Sequence, residues 1–521
     1  MRNNDIEAAW TYHDGTKHPH GELMDPSHRY FPSERPFPFK DYADLPRISL
    51  PLDKSPSTYT LYEALSETRN QSGAQAIPDL ETLARILFFS AGLTKKYSFD
   101  WGDLHMRAAS CTGALYHIEL YVVSKELPGL EEGVYHFSPR DLALTCLREG
   151  NYMSFIREAC GSNPQIDHSP LILIATDIYE WNAVKYQTRE YRHAYWDSGT
   201  IISQILALCK AYQLPATTVL GFLDSHVNTL LNLDTTKEFS LAVIPIGFKE
   251  ELSAASDKLI GITPKNFPKN LEGVKYPEIH TIHRASSLVD SQELQEWLRA
   301  KPPENLPIVT GKTYPIARLP QEERPSDPLE EIMLRRGSTR RFKHASITFE
   351  QLSFVFEMAF ARNPIYYMEV ENPPFLSTPY LIANAVDGLP SGAYVYHPAS
   401  KQLEQLKEGE YRATAKFLGL NQDLPGDASV TIFFLTNLTP VLSRFGNRGY
   451  RLAQLEASIL GGRFYLGAYG QNFGATGLTF YDDAVTEFFS PHAKGKSVMF
   501  MVSLGKRAKG RFHPGKLRIL S

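Results

Sequence analysis

Cysteine is nearly absent from this chain. There are four in 521 residues, Cys111, Cys146, Cys160 and Cys209, and they form neither a CxxC pair nor a cysteine zinc spacing, which leaves structural thiols in a reducing cytosol. Surplus positive charge is absent too. The formal net charge is −4, and coating a phosphate backbone needs a basic surface, so nucleic acid is not an expected partner. No apolar run reaches the roughly 18 residues that a bilayer-spanning helix requires, and the opening MRNNDIEAAW lacks the charged-then-apolar order of a signal peptide. A cytoplasmic protein with no membrane partner is expected. What remains is an ordinary globular composition, 43% hydrophobic and 21% charged. The length outgrows one hydrophobic core and implies at least two domains.

The chain repeats itself. Gly133-Val134-Tyr135-His136-Phe137-Ser138-Pro139 is matched by Gly392-Ala393-Tyr394-Val395-Tyr396-His397-Pro398, an offset of 259 (392 − 133). The same offset carries Leu147–Tyr152 onto Leu406–Tyr411, Arg189, Tyr191 and Arg192 onto Arg448, Tyr450 and Arg451, and Asp224 onto Asp483. A duplication of this kind changes the meaning of every local motif. The expected division is an N-terminal arm (1–39), a first domain (40–264), a connector (265–328) and a second domain (329–521). The connector carries PKNFPKN, KPPENLP and RPSDP, which suit an extended segment.

Within each copy an apolar helix (Leu80–Gly92, Phe349–Phe360) precedes a strand (Ile118–Val123, Pro379–Ile382) and a second strand (Leu171–Thr176, Val430–Leu435). A long helix (Asp197–Tyr212, Glu456–Tyr469) and a closing strand (Leu241–Ile246, Ser497–Leu504) follow. The order predicts an α+β class: two tandem sandwich domains forming an intramolecular pseudo-dimer, so that no second chain is needed to complete a site and both a monomer and a homo-oligomer stay open.

Arg336-Gly337-Ser338-Thr339-Arg340-Arg341-Phe342 resembles the R-x-S-x-R-x-F signature that opens nitroreductase domains. The resemblance implies an FMN phosphate held by Arg336 and Ser338 through charge-assisted bonds, with Arg340 beside N1 and the C2 carbonyl of the flavin, and it assigns Arg507 to the same site. Ser110-Cys111-Thr112-Gly113-Ala114-Leu115-Tyr116-His117-Ile118-Glu119-Leu120-Tyr121-Val122 resembles a segment of SagB-type dehydrogenases, the nitroreductase branch that oxidises azoline rings in ribosomal peptides. There Ser110, Thr112 and Gly113 would approach the flavin ring, and His117 departs from the usual proline. Lys185-Tyr186 is similar to the lysine–tyrosine pair that the same branch uses as base and partner. Tyr12-His13-Asp14-Gly15-Thr16-Lys17-His18 resembles that branch's YHxxTKH opening and is expected to be a structural clasp.

The copies have diverged in complementary ways. The first has Arg69-Asn70-Gln71-Ser72-Gly73-Ala74 where the phosphate signature belongs, and the second has Glu369 and Asn372 opposite Ser110 and Gly113. Gly474-Ala475-Thr476-Gly477, which looks like the glycine-bearing loop under the flavin, faces Pro215-Ala216-Thr217-Thr218, and Lys185-Tyr186 faces Arg444-Phe445. All surviving parts fall to one interface site, so one FMN per chain is expected, with no metal. Three functions are compatible with these residues. One is an azoline dehydrogenase acting on a small molecule or peptide, with Lys185 and Tyr186 as base. The second is a nitro or quinone reductase with NAD(P)H or O2 as co-substrate, and the third is a degenerate flavin-binding protein without turnover.

Overall fold

A computed structural model of the chain describes residues 2–19, 35–37, 39–42, 44–66, 75–99, 102–250, 257–259, 261, 275–304, 309–368, 370, 373–508 and, as backbone, 516–519. Each half is built on one antiparallel sheet. In the first the strand order is Arg47–Ser49, Ala143–Glu149, Gly133–Ser138, Ile118–Ser124, Leu171–Ile178, Glu238–Ile246. In the second it is Gly474–Gly477, Ser497–Gly505, Val430–Thr436, Ser377–Ala383, Gly392–His397, Gln402–Glu408, Thr313–Pro315. The registers coincide under the repeat: Tyr121 faces Ile174 and His136, while Tyr380 faces Phe433 and Val395. Central strands such as VTIFFLT (Val430–Thr436) are buried along their whole length, as the run of apolar and β-branched residues demands of a strand covered on both faces. No described helix is long and apolar enough to cross a membrane.

Two long helices, Glu190–Ala211 and Arg448–Gly470, pack on each other at the centre. They cross where side chains are smallest. A Cβ added to Gly199 would overlap Ser458 Oγ, and one added to Gly462 would overlap Ser203 Oγ. Under the repeat Gly199 corresponds to Ser458 and Ser203 to Gly462, so each residue meets its own copy, the condition for lying on a two-fold axis. One apolar core runs through both halves around this crossing.

Buried ion pairs lock the halves on either side of the axis. Asp482 accepts from Arg192 Nη1 at 2.6 Å and Arg189 Nη1 at 3.1 Å, and Asp224 accepts from Arg448 Nη1 and Arg451 Nη1, both at 2.6 Å. The spare donors of Arg192 go to His13 O (2.7 Å) and Thr16 Oγ1 (3.0 Å), and those of Arg451 to His283 O (2.6 Å) and Ser286 Oγ (2.7 Å). Helices Glu7–Gly15 and Pro277–Ala285 are thus copies of one another, and the YHxxTKH segment is half of a symmetric clasp.

Four expectations are corrected. The connector is not extended, since it contains the helices Pro277–Ala285 and Ser291–Arg299, the second burying Leu294, Trp297 and Leu298. Asp224 corresponds to Asp482 rather than Asp483, because a one-residue slip precedes the helix that each aspartate begins; Asp483 instead meets Lys17 at 2.9 Å. The long helices start at Glu190 and Arg448, a full turn or more before the predicted Asp197 and Glu456. Gly474–Gly477 is an edge strand and not a loop. Arg69–Ala74, Glu369 and Asn372 lie outside the described residues.

Candidate active site

Between the halves lies a cleft of about 740 Å³. The first half lines it with Lys95, Arg107, Ser110, Cys111, Ala114 and Tyr116, and the second with Arg336 to Arg341, Lys343, Lys506 and Arg507. Eight of its lining residues are lysine or arginine, and none of the described ones is aspartate or glutamate. In a chain of net charge −4 such a wall is built for an anion.

Arg336 is buried within this wall. Its Nε donates to Ala108 O at 2.9 Å, its Nη2 donates to the same oxygen, and its Nη1 is buried without a partner. Lys95, on the hairpin strand Leu93–Phe99, donates to Arg336 O at 2.8 Å. Burial, then the charges of Arg336 and Arg507, pull its pKa down to about 8. The Arg336–Phe342 segment is pinned from behind by Gly474–Gly477. Thr339 N donates to Ala475 O at 2.8 Å, and Tyr465 OH accepts from Gly477 N while lying 3.3 Å from Ser338 Oγ. A side chain at Gly474 would overlap Thr339 and Arg507. Gly474, Ala475, Thr476 and Gly477 therefore support the cleft wall without forming its surface.

The Ser110–Tyr116 loop is held from within the first half. Asp197 accepts from Thr112 N (2.8 Å), Thr112 Oγ1 (2.9 Å) and Cys111 Sγ (3.1 Å), so Thr112 is spent on the loop's own anchor. His117 Nε2 lies 2.9 Å from the same carboxylate, and His117 Nδ1 lies 2.6 Å from Asp177. Burial lowers the imidazole pKa, but Asp177 and then Asp197 outweigh it and hold His117 well above the usual value, as an imidazolium. Burial and Asp197 push the Cys111 thiol up to about 11, which leaves it neutral.

A sequence profile for the Nitroreductase family matches residues 74–248 and again 333–506. The chain belongs to the nitroreductase family. That membership places it among the oxidoreductases and accounts for both halves. An Anabaena variabilis crystal structure described as a nitroreductase superposes with a TM-score of 0.75 at 26% identity, covering 96% of this chain and 99% of that one. The protein MJ1384 of Methanocaldococcus jannaschii, named as a nitroreductase, is 26% identical over 172 residues, 33% of this chain and 82% of its own length. The microcin B17-processing protein McbC of Escherichia coli is 29% identical over 127 residues, 23% of this chain, and the match spans about half of that relative (47%). The chain is a tandem member of the family with SagB-type relatives.

In this nitroreductase-family protein Lys185 and Tyr186 end the helix Tyr179–Tyr186 beside the cleft and do not line it. A Cβ on Gly113 would stand 2.9 Å from Tyr186 OH, so the missing side chain is what admits the phenol. Burial, then Arg35 and Arg340, lower the Lys185 pKa. The equivalent pair in the other half is employed differently: Arg444 donates to Lys301 O at 3.1 Å, and Phe445 is buried. On the other side of the axis Thr218 N donates to Pro364 O at 3.2 Å and Tyr366 N to Thr218 O at 2.9 Å. Lys95, Asp177 and Asp197 escaped sequence reasoning. Nothing in their spacing marks them, because the strand and helix that carry the aspartates meet the loop only in the fold.

Proposed function

We propose that the protein is an FMN-dependent oxidoreductase holding one FMN per chain in the cleft between its halves. The observation that carries this reading is the buried, unpartnered Nη1 of Arg336 in a wall whose charged residues are all cations. A buried donor left open costs roughly 1–3 kcal/mol, and a phosphate oxygen returns it. The residues present fit the cofactor: Arg336, Ser338 and Arg507 would hold the phosphate with Lys95 reaching across from the first half, Arg340 would face the ring edge, and the Ser110–Gly113 loop would approach the ring. FMN, when bound, supplies two-electron redox chemistry. A single cofactor is supported by the Thr218–Ile365 pairing, which joins the two halves on the other side of the axis.

For the substrate, the reading is proton abstraction from an azoline ring by Lys185. Its lowered pKa raises the fraction of free amine near neutral pH, and Tyr186 stands beside it. The stretch shared with a microcin-processing protein supports this reading. A reductase using NAD(P)H on nitro or quinone substrates is the second reading, favoured by Lys185 lying outside the cleft's lining.

Protein saturated with FMN and freed of excess should carry one flavin per chain by visible absorption. A ratio near two, or no uptake, defeats the proposal. With the flavin content unchanged, Lys185→Ala should slow azoline oxidation about 100-fold or more. An undiminished rate together with rapid bleaching by NADPH transfers the function to the reductase reading.

A further inference from the structure

We propose that the second half carries a divalent-metal site, suited to Zn²⁺, formed by His397, Glu404 and His492. It lies towards the sheet edge opposite Gly474–Gly477 and so away from the cleft. His397 ends the strand Gly392–His397, Glu404 sits on the neighbouring strand Gln402–Glu408, and His492 comes from the segment after the helix Asp482–Phe488. His397 and Glu404 are buried and His492 is partly exposed. One ligand atom from each lies within 4.8 Å of the others.

The donors are oriented for an ion. Glu404 Oε1 is occupied by Thr310 N at 2.8 Å and Gly311 N at 2.6 Å, so Oε2 is left for the two imidazoles. His397 Nε2 stands 2.8 Å from Oε2 and His492 Nε2 3.9 Å from it. The second distance is too long for a hydrogen bond. Two donors on one tetrahedral zinc, at bonds of about 2.0 Å, stand about 3.3 Å apart, midway between the observed spacings. Tyr380 OH lies 2.9 Å from His492 Nδ1, the outer hydrogen bond that orients a ligating imidazole. Lys496, the nearby ammonium, bonds to Thr378 Oγ1 at 3.3 Å rather than to Glu404.

The sheet does not require this cluster. The repeat places Ser138 and Thr145 of the first half at the positions of His397 and Glu404, and the same strands pair there in the same register. Two imidazole nitrogens and one carboxylate oxygen favour zinc over magnesium or calcium, which prefer oxygen alone.

The test uses the full chain, stripped with EDTA and titrated with Zn²⁺ against a chromophoric chelator. One tight zinc per chain is expected, with His492→Ala weakening it at least about tenfold and leaving flavin content unchanged. The double variant His397→Ser/Glu404→Thr, which copies the first half and so preserves the strands, should lose the zinc altogether. The proposal is overturned if that variant binds zinc as the parent does, if the parent binds none, or if Cys111→Ser removes the ion instead.

Discussion

At the scale of single residues, His117 shows how far a motif can be read. Its departure from the proline of related sequences was visible, but not its cause: the partners Asp177 and Asp197 stand 60 and 80 residues along the chain. Removing the cation leaves Asp177 and Asp197 uncompensated, with the buried Glu190 carboxyl 3.5 Å from the same ring, so His117→Asn should cost about 3–5 kcal/mol. The imidazole pKa is raised on folding. Its proton therefore contributes fully below about pH 6.5, and that contribution is lost as the pH climbs through the raised value. Urea unfolding at pH 6 and pH 9 should show the gap between parent and variant narrowing at the higher pH. A gap independent of pH would mean that His117 is not an imidazolium. The Arg336–Phe342 signature, by contrast, was legible because seven consecutive residues carry it, whereas Lys95 faces it only through the fold.

At the scale of elements, local sequence signals match the structure where the pattern is apolar and depart from it where burial is polar. Thr348 and Gln351 form a capping box that starts the helix Phe349–Ala359 where its periodicity begins. The first turns of the long helices hide Arg192 and Arg448, residues that composition assigns to a surface, and the predicted starts fell short for that reason. The connector misled in a different way. Pro277 occupies the first turn of its helix, a position where proline is compatible with helix. The helix crossing gives the sharpest test. Gly199→Ala forces a methyl into Ser458 and should destabilise by about 1–3 kcal/mol in chemical unfolding. Ser458→Gly, added to it, should restore most of the loss by exchanging the small residue across the axis. Failure of the second change to compensate would place the axis elsewhere.

At the scale of the whole molecule, the halves exchange segments as well as packing. The backbone of Lys516–Ile519, from the end of the second half, pairs with Leu93–Phe99 of the first, the strand that carries Lys95 into the cleft. Ending the chain after Ala508 should therefore weaken FMN binding about tenfold, some 1.4 kcal/mol, in a fluorescence titration, while the melting temperature changes little. Unaltered affinity would show that the strand is dispensable to the site. The sequence alone determined the duplication, the α+β class and the family, because repeats, apolar periodicity and contiguous motifs are properties of neighbouring residues. Tertiary structure alone decided which residues line the cleft, which aspartates hold its loop and where the clasp residues find their arginines. Those relations join groups far apart in the chain, and only the folded arrangement of strands and helices brings them within hydrogen-bonding distance.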